Sequence, residues 1–137
     1  MTTATGGCLC GALRYEYDGQ PGAALICHCQ DCRRVTGAAF NTSVRMKSEN
    51  FRVVSGELKC FTNRADSGNE VTRCFCPECG SPIYTIPPHR PGTFFVKAGS
   101  LDDPAIVKPE HQSWTSSAVS WAHIPPDLPG SERNRIR

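Results

Sequence analysis

Nine cysteines stand in this chain of 137 residues, and seven of them fall into three tight groups. Cys76 and Cys79 form a C-x-x-C pair, a spacing that lets two sulfurs bind one zinc ion at about 2.3 Å each. Gly80 directly follows the pair and supplies the left-handed turn that such a loop requires. Cys8 and Cys10 form a C-x-C pair, and residues two apart on an extended segment share a face. Both pairs therefore predict ligands of a metal ion.

A third group, Cys27, Cys29 and Cys32, combines the two spacings. The end of a strand would supply Cys27 and Cys29, and the turn that follows would supply Cys32. Four thiolates close a tetrahedral structural site, whereas three leave one position free for another ligand. The seven clustered cysteines therefore divide naturally into one closed site and one open site.

Spacing alone leaves the partition of these seven cysteines open. One alternative is a zinc ribbon built from Cys29, Cys32, Cys76 and Cys79. The other alternative closes one site with the C-x-C pair and the final C-x-x-C pair, and leaves the third group as the open site.

Disulfide bonds are the competing interpretation of the cysteines. The count is odd, the clustered spacings are too tight to bridge locally, and residues 1–7 lack the charged start and apolar stretch of a signal peptide. We therefore expect the reducing cytoplasm, where disulfides are rare, and metal binding in preference to disulfide pairing. Cys60, which stands apart from the groups, is expected to be a small buried hydrophobic residue.

Length and composition limit the partners of the chain. The length fits one domain, expected over residues 1–124, followed by a polar and flexible C-terminal tail over 125–137. The net charge of +2 is too small to favour nucleic acid or an anionic membrane as a partner. No apolar run approaches the roughly 18 residues of a membrane helix. The sequence gives no indication of oligomeric state.

The elements that must position the cysteines are predicted to be short. Eleven prolines and twelve glycines interrupt the chain so often that long helices are not expected. The one predicted helix covers 31–36, with Gly37 as its C-terminal cap. A strand is predicted over 13–17, with Leu13, Tyr15 and Tyr17 on one face. The other predicted strands cover 24–29, 51–55, 58–62, 70–75, 81–86 and 93–98, with a turn at 55–57 joining two of them.

Four segments and a late tryptophan resemble motifs of the glutathione-dependent formaldehyde-activating enzyme family. The first is G-C-L-C-G at 7–11 with R-Y at 14–15, and the second is C-H-C-Q-D-C-R-R at 27–34 with G-A-A-F at 37–40. The third is R-C-F-C-P-E-C-G-S-P-I-Y at 73–84, and the fourth is A-G-S-L-D-D-P at 98–104. Trp121 stands where the family carries a tryptophan. The resemblance covers most of the chain, from residue 6 to residue 121.

The resemblance implies a fold and a set of metal ligands. The fold is a compact, mostly β, Mss4-like (β-tent) zinc-binding arrangement with one short helix. Two zinc ions per chain are implied, a structural zinc held by Cys8, Cys10, Cys76 and Cys79, and a catalytic zinc held by Cys27, Cys29 and Cys32. Cys74 departs from the family pattern; on a strand it shares a face with Cys76, and it is a candidate to complete the second site.

An open zinc with three thiolates favours a particular chemistry. Zn²⁺ and three thiolates leave a net charge of about −1, so a bound water should be acidified less than at a site of three neutral histidines. A soft site with a free position suits an incoming thiol, which could then attack an aldehyde carbon. The resemblance points to the same reaction, with glutathione as the thiol and formaldehyde as the aldehyde, in a carbon–sulfur lyase. Arg33, Arg34 and Arg73 are candidates to hold the glutathione carboxylates, unless they are solvated or paired with acidic neighbours.

A binding module is the alternative to an enzyme. Both zinc ions would then be structural, with Cys74 closing the second site, and the surface would contact a protein or nucleic acid. A redox sensor that releases zinc on oxidation is a third option, which the clustered thiolates permit without specifically supporting it. His28 lies between two expected ligands, and alternation along a strand points it to the opposite face, where packing or a hydrogen bond to the backbone is expected.

Overall fold

The computed structural model describes residues 1–65 and 68–133, which form two β-sheets and one short α-helix. The strands are β1 Thr2–Gly7, β2 Arg14–Asp18, β3 Ala24–Cys27, β4 Asn41–Lys47, β5 Phe51–Ser55, β6 Lys59–Arg64, β7 Glu70–Phe75, β8 Pro82–Ile86, β9 Thr93–Lys97 and β10 Pro109–Ser113, and the helix α1 is Gln30–Thr36. A three-stranded sheet has the order β1-β2-β5, and a seven-stranded sheet has the order β10-β3-β4-β9-β8-β7-β6. The expected mostly β architecture with one short helix is confirmed.

The small sheet is built on β2, which pairs antiparallel with β1 and β5. Tyr15 and Tyr17 point to the same side of β2 as Leu13, and all three side chains are buried, as the alternation predicts. Phe51 on β5 stacks on Tyr15 with ring centroids 4.7 Å apart. It also meets Tyr84 of the large sheet edge-on at 5.3 Å. The core of the protein therefore lies between the two sheets.

The predicted turn at 55–57 is present, but the two strands that it joins do not form a hairpin. Gly56 has a positive φ of 79° and lies so close to the backbone of Ala12 that a Cβ atom would collide with it. β5 before the turn belongs to the small sheet, and β6 after it is the edge strand of the large sheet. The turn therefore carries the chain from one sheet to the other.

The large sheet has one apolar face and one polar face. Val44 and Val96 are buried in the core, and Ile26, also buried, lies on the same face of the sheet by alternation from Ala24. Because side chains alternate along a strand, their neighbours Cys27, Ser43 and Lys97 lie on the other face. The chain after β3 continues over this second face as α1. The polar face of the large sheet and α1 therefore enclose the third cysteine group.

The C-terminal residues run beside β10. The backbone N–H of Gln112 donates to the Pro129 carbonyl at 2.9 Å, and that of Trp114 donates to the Arg133 carbonyl at 2.9 Å. Gln112 and Gly130 form a parallel bridge. The expected domain boundary at 124 stays a prediction, and the part of the expected tail over 134–137 lies outside the described residues. In the described part of the chain, no helix is long and apolar enough to cross a membrane.

Candidate metal centres

The first candidate centre brings together Cys8, Cys10, Cys76 and Cys79, whose sulfurs all lie within 4.8 Å of one another. The Cys8 and Cys10 sulfurs are 3.5 Å apart, and the Cys10 and Cys76 sulfurs are 3.9 Å apart. Two sulfurs bound to one zinc ion at 2.3 Å in tetrahedral directions stand about 3.8 Å apart. Four sulfurs at this spacing fit a closed tetrahedral site.

Two loops from different sheets supply these four cysteines. Cys8 and Cys10 follow β1 of the small sheet, and the other two lie between β7 and β8 of the large sheet. Each loop is closed by backbone hydrogen bonds, from Gly11 to the Cys8 carbonyl and from Gly80 to the Cys76 carbonyl. Both glycines have positive φ, near 80°, which a residue with a Cβ atom adopts only at a cost. The centre therefore joins the two sheets.

Neighbouring groups donate to the sulfurs of this first centre. The backbone N–H of Leu13 donates to the Cys8 sulfur at 3.3 Å. The Ser81 hydroxyl lies 3.2 Å from the Cys79 sulfur and lowers the pKa of that thiol to about 5. Donors aimed at a sulfur favour its thiolate form, which is the form that binds a metal ion.

The second candidate centre comprises Cys27, Cys29 and Cys32, whose sulfurs also lie within 4.8 Å of one another. Cys27 is the last residue of β3, Cys29 is the N-terminal cap of α1, and Cys32 lies in the first turn of the helix. The backbone N–H of Cys32 donates to the Cys29 sulfur at 3.3 Å, so the cysteine takes the place of the usual serine or aspartate cap. The predicted helix and its cap at Gly37, with a φ of 68°, are confirmed.

The donor set of the second centre fits a zinc ion. Three cysteine sulfurs lie within 4.8 Å of one another, and zinc binds such sulfurs as thiolates. Hydrogen bonds from Cys29 and Cys32 lower the pKa of Cys27 to about 3, which favours its thiolate form.

A cavity of about 250 Å³ opens onto the three sulfurs of the second centre. Its wall includes polar residues of the large sheet, Asn41, Ser43 and Arg73, and the aromatic ring of Phe95. Trp114 also lines it, with a positive φ of 57°, a backbone conformation that non-glycine residues seldom adopt outside functional loops. The second centre therefore faces a space that could hold a small molecule.

Cys74 does not belong to either centre, and its expected role as a ligand of the second site is wrong. Its sulfur is bonded to Cys60, which lies directly opposite it on the neighbouring antiparallel strand β6, with Cα atoms 4.1 Å apart. The expectation of a buried, unpaired Cys60 is also wrong, because this residue is exposed at the edge of the sheet. Sequence spacing gave no sign of the pairing, since the register between β6 and β7 brings the two residues together.

The three candidate arginines take different positions. Arg73 lines the cavity, where its Nε donates to the Asn63 side-chain oxygen at 2.8 Å and its Nη2 lies 3.7 Å from the Asp31 carboxylate. Arg33 and Arg34 lie in the second half of α1 and are not among the described residues that line the cavity. Arg73 is therefore the one of the three that faces the second centre.

His28 lies where strand alternation predicts it. His28 is fully buried on the opposite side of the strand from its two cysteine neighbours, and its Nε2 lies 2.8 Å from the Gln112 side-chain oxygen. Its predicted packing role is confirmed.

Lys97 is buried near the second centre, and no sequence motif indicated it. It is the last residue of β9, and the sheet register rather than a local pattern places it near the cysteines.

Comparison with known proteins gives a family and a fold. A family model described as "Glutathione-dependent formaldehyde-activating enzyme" matches residues 3–117. A crystal structure of a protein from Rhodobacter sphaeroides is similar in fold, with a TM-score of 0.54 and 22% sequence identity. The match covers 72% of this chain and 87% of that chain.

Proposed function

This chain belongs to the glutathione-dependent formaldehyde-activating enzyme family, and from that membership we propose that it is a zinc-dependent carbon–sulfur lyase. Its substrate would be the adduct of a small thiol and an aldehyde, with glutathione and formaldehyde as the pair that the family description suggests. Each chain would hold two zinc ions, one in each cysteine centre. We place the enzyme in the cytoplasm, which holds the glutathione pool that the proposed reaction uses.

The observation that carries this proposal is the unequal donor count of the two centres. Four cysteine sulfurs surround the first centre, whereas three surround the second within the described residues. Three protein ligands leave one tetrahedral position for a substrate atom. The second centre also faces the cavity, so a ligand can reach that position.

The proposed reaction needs no oxidant. The S–H bond of the thiol and the π bond of the formaldehyde carbonyl group break, a C–S bond and an O–H bond form, and the C–O single bond remains. The product is an S-hydroxymethyl thioether, with the thiol proton carried to the aldehyde oxygen; the lyase direction reverses these changes. Zinc at an open position would lower the pKa of the bound thiol and so supply the attacking thiolate.

The residues of the chain would bind and orient the thiol. The side chain of Arg73 is only 13% exposed. Its planar guanidinium can bind a carboxylate through two hydrogen bonds. Its present contact with Asp31 is long, at 3.7 Å, so a substrate carboxylate would compete with a weak ion pair. Phe95 and Trp114 narrow the cavity and would limit the access of water.

Nuclear magnetic resonance with ¹³C-formaldehyde and glutathione tests the proposal. The zinc-loaded protein should accelerate exchange between free formaldehyde and the S-hydroxymethyl adduct. Cys32→Ser should abolish the acceleration, and Cys60→Ser should preserve it, because Cys60 lies outside both centres. Exchange at the protein-free rate with two zinc ions bound would reject the lyase.

The non-catalytic zinc-binding module loses its main support. That alternative requires a fourth protein ligand at the second centre, and Cys74, the expected candidate, is paired with Cys60. The surface of a module that contacts nucleic acid would also need a stronger positive charge than the net +2 of this chain.

A further inference from the structure

Lys97 is a buried lysine whose positive charge has no carboxylate partner among the described residues. Its relative exposure is 7%, and its Nζ donates to the side-chain oxygen of Asn41 at 2.7 Å. The Asn41 amide donates in turn to the Ser43 hydroxyl at 2.8 Å. Both partners are neutral, and a buried ammonium group is costly unless an opposite charge lies near it. We therefore expect an anion close to Lys97.

The register of the large sheet shows which anion is near. Cys27 on β3 lies opposite Asn41 on β4, and Ser43 on β4 lies opposite Lys97 on β9. All four residues are on the polar face of the sheet, so Asn41 stands between the cysteine centre and the ammonium group. Burial lowers the pKa of Lys97, while negative charge on Cys32, Cys27 and Cys29 acts against this and favours the ammonium form. Arg73 also acts on Lys97, as a like charge.

We propose that the ammonium group of Lys97 is the counter-charge of the second metal centre and stabilises the extra negative charge that arrives with a thiolate substrate. The inference rests on the proposed function, because it assumes zinc at Cys27, Cys29 and Cys32. Zinc with three thiolates carries a net charge of about −1, and coordination of a substrate thiolate makes it about −2. Lys97 should therefore matter most once the thiolate has bound, when the negative charge to be offset is largest.

This role differs from that of Arg73 in a measurable way. Arg73 would recognise a carboxylate of the substrate, and its effect should be confined to thiols that carry one. Lys97 acts on the charge at the sulfur, which every thiol brings. Lys97 is thus a positioning residue for the thiolate, whatever the rest of the substrate.

Isothermal titration calorimetry of the zinc-loaded protein with 2-mercaptoethanol and with glutathione tests the proposal. Lys97→Gln should weaken the binding of both thiols by a similar factor, about tenfold or more, as expected when one unit charge near a partly buried site is removed. Lys97→Arg should restore most of the affinity, and Lys108→Met, at an exposed lysine, should bind as the wild type does. Zinc content, measured for each variant, reports on both centres.

Three outcomes would overturn the role of Lys97. These are unchanged thiol affinity in Lys97→Gln with two zinc ions bound, a loss confined to glutathione, or an equal loss in Lys97→Arg and Lys97→Gln. Loss of the second zinc from Lys97→Gln but not from Lys97→Arg would support the role, because the charge alone differs in that comparison. A wild-type protein that holds two zinc ions and binds neither thiol would instead refute the proposed function.

Discussion

Arg73 is the side chain best placed to distinguish glutathione from other thiols. It combines low exposure with a position on the wall of the cavity, and its hydrogen bond to Asn63 fixes the guanidinium plane. Three arginines were candidates from the sequence, and in the structure they lie in different places. The side chains of α1 point in several directions around the helix, whereas Arg73 shares the polar sheet face with Thr85 and Phe95.

Replacement of Arg73 should therefore change selectivity and leave the metal content unchanged. In Arg73→Ala, the affinity for glutathione should fall about tenfold, the value of one charge-assisted hydrogen-bonded pair, while the affinity for 2-mercaptoethanol stays the same. Arg34→Ala, an exposed arginine on α1, is the matched control and should bind both thiols normally. Equal affinities of the wild type for the two thiols would argue against carboxylate recognition by any arginine.

The two cysteine centres differ most in how they connect the elements. The first centre ties the loop after β1 to the loop between β7 and β8, which are elements of different sheets. The second centre takes its ligands from six consecutive residues at the junction of β3 and α1. A zinc ion in the first centre would link distant parts of the chain, and one in the second would fix only a local turn.

Loss of a ligand should therefore have different consequences at the two centres. Cys76→Ser should yield unfolded or insoluble protein, because structural zinc contributes about 10–16 kcal/mol, comparable to the whole stability of a domain. Cys32→Ser should remain folded, hold one zinc ion and lose thiol binding. Zinc analysis and thermal melting of the two purified variants check this, and a Cys76→Ser protein with an unchanged melting temperature would contradict it.

Some elements could be read from the sequence and others could not. β2, β5, β7 and α1 were predicted because apolar alternation or a helix cap is visible within each segment. β1, β4 and β10 were missed. β1, T-T-A-T-G-G, consists of small and polar residues, and β4 also has a mixed polar composition. β10, P-E-H-Q-S, has no β-branched or aromatic residue. β10 is held as a strand by its parallel pairing with β3, which no local pattern reports.

The two cysteine centres and their surroundings depend on contacts between segments far apart in the chain. The grouping of the first four cysteines followed from the family resemblance, because spacing alone also allowed a zinc ribbon. The disulfide between Cys60 and Cys74 and the place of Lys97 beside the second centre depend on strand register, which spacing within a segment does not encode. Chemistry carried by a local motif was therefore predictable, and chemistry assembled across strands was not.

Asp102 links the small sheet to the segment that follows β9. It accepts hydrogen bonds from Arg14 on β2 and from the Thr5 hydroxyl on β1, and Arg14 lowers its pKa from 3.8 to about 2. Since the pKa is lower in the folded protein, the stabilisation is fully present above the unfolded value and is lost as the pH falls through about 2. Both side chains are more than a third exposed, so the pair should contribute no more than about 1 kcal/mol.

A double-mutant cycle with Arg14→Ala and Asp102→Asn tests this link. The coupling free energy should be about 0.5 kcal/mol and should persist from about pH 7 down to about pH 3.5, because Asp102 with a pKa of about 2 stays ionised there, whereas a carboxyl at 3.8 would be mostly protonated at the lower pH. Thermal or urea unfolding of the four proteins gives the value. A coupling that disappears at the lower end of the range would show that the pKa of Asp102 is not depressed.

The proposed lyase requires that the second zinc centre be open and bind a thiol as its thiolate. Calorimetric titration of the two-zinc protein with glutathione, in two buffers with different ionisation enthalpies, measures both affinity and proton release. We predict binding of one glutathione per chain with release of about one proton below the pKa of the free thiol, and no binding to Cys32→Ser. Protein with two bound zinc ions that takes up no glutathione, or binds it without proton release, would contradict an open, thiolate-binding second centre.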